Sequence, residues 1–328
     1  MKALYYTATR ETAFRNSPDP VAKAGEALMA VEAVGICGSD MHAWHGHDPR
    51  RVPPMILGHE AAGRVLEGPL AGQRVVVNPL ISCGLCQYCS GGRSNLCPER
   101  ELVGMRIPGA FAERLTLPAR NLIPVPEGMD VAKAALTEPC ATAWHAVALA
   151  QRSAWRPLAE SRGLVIGGGS VGLLAALVLK TFGTVSVKLA ETNALRRATA
   201  STAGIEAFDP SAEAAELDAF DLVVDAVGTV TTRAAAVAAV TAGGVIAHVG
   251  LQDWAGDFDA RRVTLAEIAV LGVYTYTEAD LRASLAALHS GRLGDLAWVE
   301  ERPLAEGGQA FRDLDQGVSP AAKIVLRP

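Results

Sequence analysis

No apolar stretch in the chain reaches the length a bilayer crossing needs: the run at residues 171–179 stops at Lys180, well short of the roughly 20 residues required. The amino-terminal segment meets Arg10 and Glu11 before a hydrophobic leader can develop, which predicts a cytoplasmic protein. Excess positive charge is also absent. With 30 Lys and Arg against 35 Asp and Glu the net charge is −5, and the clustered arginines are mere pairs, so no basic stripe follows a phosphate backbone. Neither membrane nor nucleic acid is expected as a partner. What remains is a chain of 328 residues, 50% hydrophobic and 20% charged, long enough for a full core and for two domains.

Cysteine is sparse but concentrated, with four of the six residues lying in "CGLCQYCSGGRSNLC", residues 83–97. In a reducing compartment such thiols are metal ligands sooner than disulfides. The spacing Cys83-x2-Cys86-x2-Cys89-x7-Cys97 lets four thiolates turn onto one tetrahedral zinc. A ferredoxin-type iron–sulfur site also ends in Cys-Pro, as Cys97-Pro98 does, but its last gap is shorter and a second cysteine set is missing. Four thiolates leave zinc no open position, so this cluster is read as a structural clip.

Chemistry is sought upstream, where "VGICGSDMH" carries Cys37 and "LGHEAAG" carries His59 and Glu60. Alone, each is an ordinary core thiol or polar group. Together they suggest a second metal site, for which a zinc with an open position needs three protein ligands. Glu138 in "ALTEPCATAWHA" offers the third, with Cys140 close by.

In "GLVIGGGSVGLLAALVLKTFG" a short apolar run precedes Gly167-x-Gly169-x-x-Gly172 and then a helical pattern, the arrangement that brings a pyrophosphate to a helix N-terminus. The next strand candidate, residues 185–190, ends at Glu191, placed to accept hydrogen bonds from an adenosine ribose and to repel a 2′-phosphate. NAD is therefore expected over NADP, although Arg196 and Arg197, five and six residues on, offer a partner for that phosphate. Further apolar strands at 220–228, 243–250 and 268–274, separated by alanine-rich helical stretches, give the rhythm of a doubly wound sheet.

These motifs, "GICGSD", "GHE", the cysteine lobe, "EP" with a histidine seven residues after the glutamate, "GGGSVG" and "GVYTYT", resemble the zinc-dependent medium-chain dehydrogenases, in the sorbitol, threonine and secondary-alcohol branch. The resemblance implies an α/β chain: a GroES-like, mostly β catalytic domain from residues 1–140 and 276–328, and a Rossmann domain with a parallel six-stranded sheet at 141–275. It implies two zinc ions. The catalytic one would be held by Cys37, His59 and Glu138, with Glu60 as a fourth ligand or exchange partner, and the structural one by Cys83, Cys86, Cys89 and Cys97. Cys140 is left as a packed thiol. Ser170, Val171, Arg196, Val227, Gly228 and Val249 would join the three glycines and Glu191 around the dinucleotide. Ser39 and His42 would pass a proton outward, and Trp44, Arg114, Thr275 and Tyr276 would line the substrate pocket.

The implied reaction is hydride transfer from a secondary alcohol to NAD+, with zinc as Lewis acid. A polyol or sugar-derived alcohol is expected, and a sugar acid or polyol phosphate is the alternative, because Arg50, Arg51 or Arg114 would suit an anionic group. Ala43 and Thr275 stand where sorbitol dehydrogenases carry a tyrosine and an arginine, and the connection "PLAGQR" is shorter than usual. A zinc-stabilised binding protein without chemistry and a zinc-free quinone-type reductase are the competing readings; both leave Cys37, His59 and Glu138 without a purpose. The resemblance further implies a dimer or tetramer.

Overall fold

Strand Glu26–Gly35 alternates buried and half-buried positions, with Ala27, Met29, Val31 and Ala33 turned to one face. That period of two suits a sheet packed on one side, and the computed structural model, which describes residues 1–328, places this strand inside a seven-stranded sheet. Its antiparallel neighbour Glu60–Glu67 leads on to Arg74–Val77 and Leu122–Pro124, and Arg114–Pro118 pairs with it as well. On the other side lies a strand from the end of the chain, Lys323–Arg327, with Val325 opposite Gly35 and Leu326 opposite Val34. Val299–Pro303 closes that edge. Cys37, Glu60 and Lys323 thus sit at the ends of adjoining strands because the tail folds back onto the first part of the chain.

The second sheet is parallel throughout, in the spatial order 206–208, 186–190, 162–166, 220–225, 240–248, 269–272. Its order reverses between Arg162–Ile166 and Phe220–Asp225, the place where doubly wound sheets open a crevice at their carboxyl ends. The short strand Glu206–Phe208 is an addition to the strands visible in the sequence. Helix Ser170–Thr181 buries every residue from Gly172 to Leu179, which accounts for its unbroken apolar run. It packs on strands 162–166 and 186–190 and is covered by helix Thr137–Ser153, leaving no wet face between Gly172 and Leu179. Helix Thr137–Ser153 also packs against Glu278–His289. No helix is long and apolar enough to cross a membrane.

Candidate functional site

The turn after strand Glu26–Gly35 delivers Cys37 to the start of helix Gly38–Trp44, and strand Glu60–Glu67 begins beside it with His59 and Glu60. Ligand atoms of Cys37, His59 and Glu60 all lie within 4.8 Å of one another. Asp40, fully buried, organises the corner: its carboxylate accepts the Cys37 N–H at 3.0 Å and the Gly58 N–H at 3.3 Å, and stands 3.6 Å from His59 Nδ1. Burial pushes the Asp40 carboxyl up, but His59 and Arg51 outweigh it and hold the group below the usual carboxylate range. His59 Nδ1 is buried without a hydrogen-bond partner. A thiol, an imidazole and a carboxylate converging in a buried corner make a donor set that suits zinc.

Glu138 borders the same corner, feeling the charges of His59 and Glu60. It sits in the first turn of helix Thr137–Ser153, and its Oε1 accepts a hydrogen bond from the Tyr276 hydroxyl at 2.9 Å; it is not within the group that Cys37, His59 and Glu60 form. Burial raises its carboxyl to about 7. Glu60 is the carboxylate beside Cys37 and His59, and Lys323 Nζ donates to both of its oxygens, at 2.7 and 2.6 Å, and to the Ile36 carbonyl at 2.7 Å. A Cβ at Gly35 would lie 2.0 Å from Glu60 Oε2, so only glycine lets this carboxylate reach the strand.

Among the residues expected in a pocket, Tyr276 is buried against Glu138, and Thr275 beside it adopts a φ of +47°. Trp44 is 3% exposed and packs on Phe311, with ring centres 5.9 Å apart, so it is a core residue and not a pocket wall. Arg114 is also elsewhere. It lies opposite Ala30, five residues along the strand from Gly35, about 17 Å at roughly 3.4 Å per residue, and its guanidinium pairs with Asp19 at 2.7 Å. Arg50 pairs with Asp48, and buried Arg51 donates to the Gly104 and Ser39 carbonyls, which fastens the turn carrying Ser39. His42 is half-buried; burial first, then His47 and His45, lower its pKa below the ordinary imidazole value. Cys140 is buried in the core, which pushes its thiol up to about 12.

In the cysteine lobe, Cys86 Sγ lies 3.5 Å and Cys83 Sγ 4.0 Å from Cys89 Sγ, and the four sulfur atoms fall within 4.8 Å of one another. These separations are far beyond an S–S bond of about 2.05 Å and near the ~3.8 Å edge of a tetrahedron with ~2.3 Å zinc–sulfur bonds. Backbone N–H groups of Leu85 and Cys86 aim at Cys83 and bring its thiol down to about 7, easing loss of the proton that metal binding requires.

At the crevice of the parallel sheet, Gly167 takes a φ of +102°, and a Cβ on Gly172 would stand 1.9 Å from the Gly167 carbonyl. Nothing lies near a Cβ built on Gly169, the N-cap of helix Ser170–Thr181, whose first turn has no side-chain cap. This open cradle of free N–H groups, followed by Ser170 and Val171, fits a pyrophosphate. Glu191 is buried and accepts the Gly168 N–H at 2.7 Å and the Asn193 N–H at 2.8 Å, lining a cleft of about 530 Å³ together with Gly167, Thr192, Ser211 and Val227. Val227 and Gly228 donate their N–H groups to Asp225 Oδ1, and Val249 donates to the Asp225 carbonyl. Arg197 is bound to the carbonyls of Glu191 and Thr192 and to Asp209, whereas Arg196 keeps a buried Nε without a partner.

Residues 23–127 match the alcohol dehydrogenase GroES-like domain and residues 170–290 the zinc-binding dehydrogenase family. The chain is 33% identical to 2-dehydro-3-deoxy-L-galactonate 5-dehydrogenase of Pseudoalteromonas atlantica, over 89% of each chain. It is 31% identical to L-galactonate-5-dehydrogenase of Escherichia coli, over 97% of this chain and 98% of that one. A protein of Sinorhizobium meliloti 1021 described as a zinc-binding dehydrogenase, solved with NADP bound, superposes with a TM-score of 0.86 at 29% identity, covering 100% of this chain and 99% of its own.

Proposed function

The chain belongs to the zinc-dependent medium-chain alcohol dehydrogenase family, and from that footing we propose that it oxidises a secondary alcohol of a polyol or sugar acid by hydride transfer to NAD(P)+. The observation that carries this reading is the buried convergence of Cys37, His59 and Glu60, with Glu138 and Tyr276 alongside. Cys37, His59 and one of the two glutamates would hold a zinc, which would supply Lewis acidity toward an alcohol oxygen, and a nicotinamide bound at the glycine turn would supply the hydride acceptor.

The remaining work falls to the chain's own residues. Asp40 fixes the turn that carries Cys37 through the Cys37 N–H, and its carboxylate balances charge on His59 from 3.6 Å. Lys323 holds Glu60 and compensates its charge in the dry interior. Tyr276 holds Glu138 by its hydroxyl. Arg51 fixes the Ser39 turn, and Ser39 and His42 carry the released proton outward; burial lowers the pKa of His42 and keeps its imidazole neutral, so that a proton it takes up is passed on and not retained. The buried carboxylate of Glu191 at the cleft favours NAD over NADP; the orphaned Arg196 is the feature that would admit a 2′-phosphate.

A sugar-acid substrate is favoured over a plain polyol by the two galactonate dehydrogenases among its relatives. Division at 1–140 plus 276–328 and at 141–275 is supported by the tail strands lying in the same sheet as Glu26–Gly35. Two or four chains per assembly, in the cytoplasm, complete the reading; the outer edge of strand Ala269–Gly272, with Val270 exposed, offers a surface for pairing. Metal analysis tests the assignment. The purified protein is expected to hold two zinc ions per chain and Cys37→Ser one; two retained by Cys37→Ser would contradict it.

A further inference from the structure

A short series of contacts joins the cysteine lobe to the candidate active site. Arg100, three residues after Cys97, donates from Nη1 to the Cys97 carbonyl at 2.8 Å and from Nε to the Tyr274 hydroxyl at 3.2 Å. Its guanidinium lies 4.6 Å from the centre of the Tyr274 ring. Asn95, inside the lobe and 2% exposed, donates from Nδ2 to the Tyr274 carbonyl at 2.9 Å. The lobe, through Asn95 within it and Arg100 just past its last cysteine, therefore grips both the backbone and the side chain of Tyr274.

Tyr274 opens the segment Tyr274-Thr275-Tyr276. Its middle residue holds a left-handed conformation that a β-branched side chain adopts only when its surroundings impose it. Its last residue ends on Glu138. Just beyond, Thr277 caps helix Glu278–His289 through Asp280, which pairs with buried His145 at 2.8 Å on the helix that carries Glu138. The segment is thus clamped on the far side by that pair and on the near side by the lobe.

We propose that Asn95 and Arg100 are positioning residues for the reaction: by fixing Tyr274 they hold Thr275 in its constrained backbone and set the Tyr276 hydroxyl against Glu138. The proposal rests on the reading of Glu138 as part of the reacting site, and it extends that reading by giving the four-cysteine lobe a task beyond its own folding.

The test uses the zinc-loaded full chain with Arg100→Ala and, as a gentler change, Tyr274→Phe, which removes only the hydroxyl. Hydrogen exchange in residues 273–277 is expected to speed up about tenfold in Arg100→Ala, at two zinc ions per chain. kcat for an alcohol that the wild type oxidises falls about tenfold with KM for NAD+ unchanged, and the same change made in a Tyr276→Phe background lowers kcat by less than about twofold, because the contact it serves is already gone. Tyr274→Phe moves both readouts in the same direction by a smaller factor. Unchanged exchange in 273–277, or equal kcat losses with and without Tyr276, overturns the proposal. A wild type without dehydrogenase activity would refute the proposed function instead, and the exchange rates would still decide whether the lobe holds this segment.

Discussion

Lys323 Nζ lies 2.7 and 2.6 Å from the two carboxylate oxygens of Glu60, with side chains 1% and 0% exposed, across a separation of 263 residues in the chain. Two charges so deeply buried are tolerable only as a pair. Removing one partner leaves the other desolvated and uncompensated, which costs about 3–5 kcal/mol. Lys323→Met is expected to lower the unfolding free energy of the metal-depleted protein by that amount in urea titrations. A loss below about 1 kcal/mol would show that Glu60 is held by something else.

Acid sensitivity should trace to Asp280. Burial raises its carboxyl, but hydrogen bonds from His145 and from Thr277 outweigh burial and hold the group below its ordinary value of 3.8. A carboxyl whose folded-state pKa is depressed contributes stability above its unfolded pKa and loses it as the pH falls through the folded value. The stability advantage of the wild type over Asp280→Asn is therefore expected to be constant above about pH 5 and to shrink below about pH 4. Denaturant midpoints measured across that range decide it; a gap that stays constant down to pH 2 would contradict the assignment.

Gly172→Ala separates helix propensity from close approach. Alanine favours an exposed helix interior by about 1 kcal/mol over glycine, yet its Cβ would stand 1.9 Å from the Gly167 carbonyl and force the turn open. Titration with NADH is expected to show affinity weakened by tenfold or more, a loss of about 1.4 kcal/mol, with both zinc ions retained. Unaltered affinity would mean that the dinucleotide does not use this turn.

Cys97→Ser addresses the lobe. Cys97 is its buried member, and its sulfur accepts the Cys83 N–H at 3.4 Å. With three thiolates left the closed tetrahedron is broken. The variant is expected to hold one zinc per chain and to melt several degrees below the wild type; two zinc ions at an unchanged melting temperature would rule out a metal role for Cys97.

Features carried by local patterns were legible in the sequence. The glycine turn with Glu191 at the end of the next strand, the cysteine spacing, and the apolar strands 162–166, 186–190, 220–225, 240–248 and 269–272 all report short-range rules of period, turn and ligand spacing. Strand Glu206–Phe208 was not legible because it is three residues long and half-exposed, with no alternation to read. Long-range partners were equally silent. Nothing near Lys323 in the chain announces Glu60, and nothing near Arg114 announces Asp19, so the sequence is silent on Lys323 and points Arg114 toward a site from which Asp19 holds it away. Trp44 follows the metal-binding turn closely in sequence, but the seven-residue helix Gly38–Trp44 turns it inward onto Phe311. The sequence brings Tyr276 toward the pocket, and only the folded chain gives its hydroxyl a partner in Glu138.

The central claim is best tested by following reduction of NAD+ by the purified protein with galactonate-type sugar acids, polyols, polyol phosphates, simple secondary alcohols and L-threonine, with NADP+ in parallel and Cys37→Ser as the control. The account predicts turnover on a sugar acid or polyol, faster with NAD+ than with NADP+, lost in Cys37→Ser and lost on chelation of zinc. Turnover that survives both Cys37→Ser and chelation, or none on any of these alcohols from a protein holding two zinc ions, would contradict it.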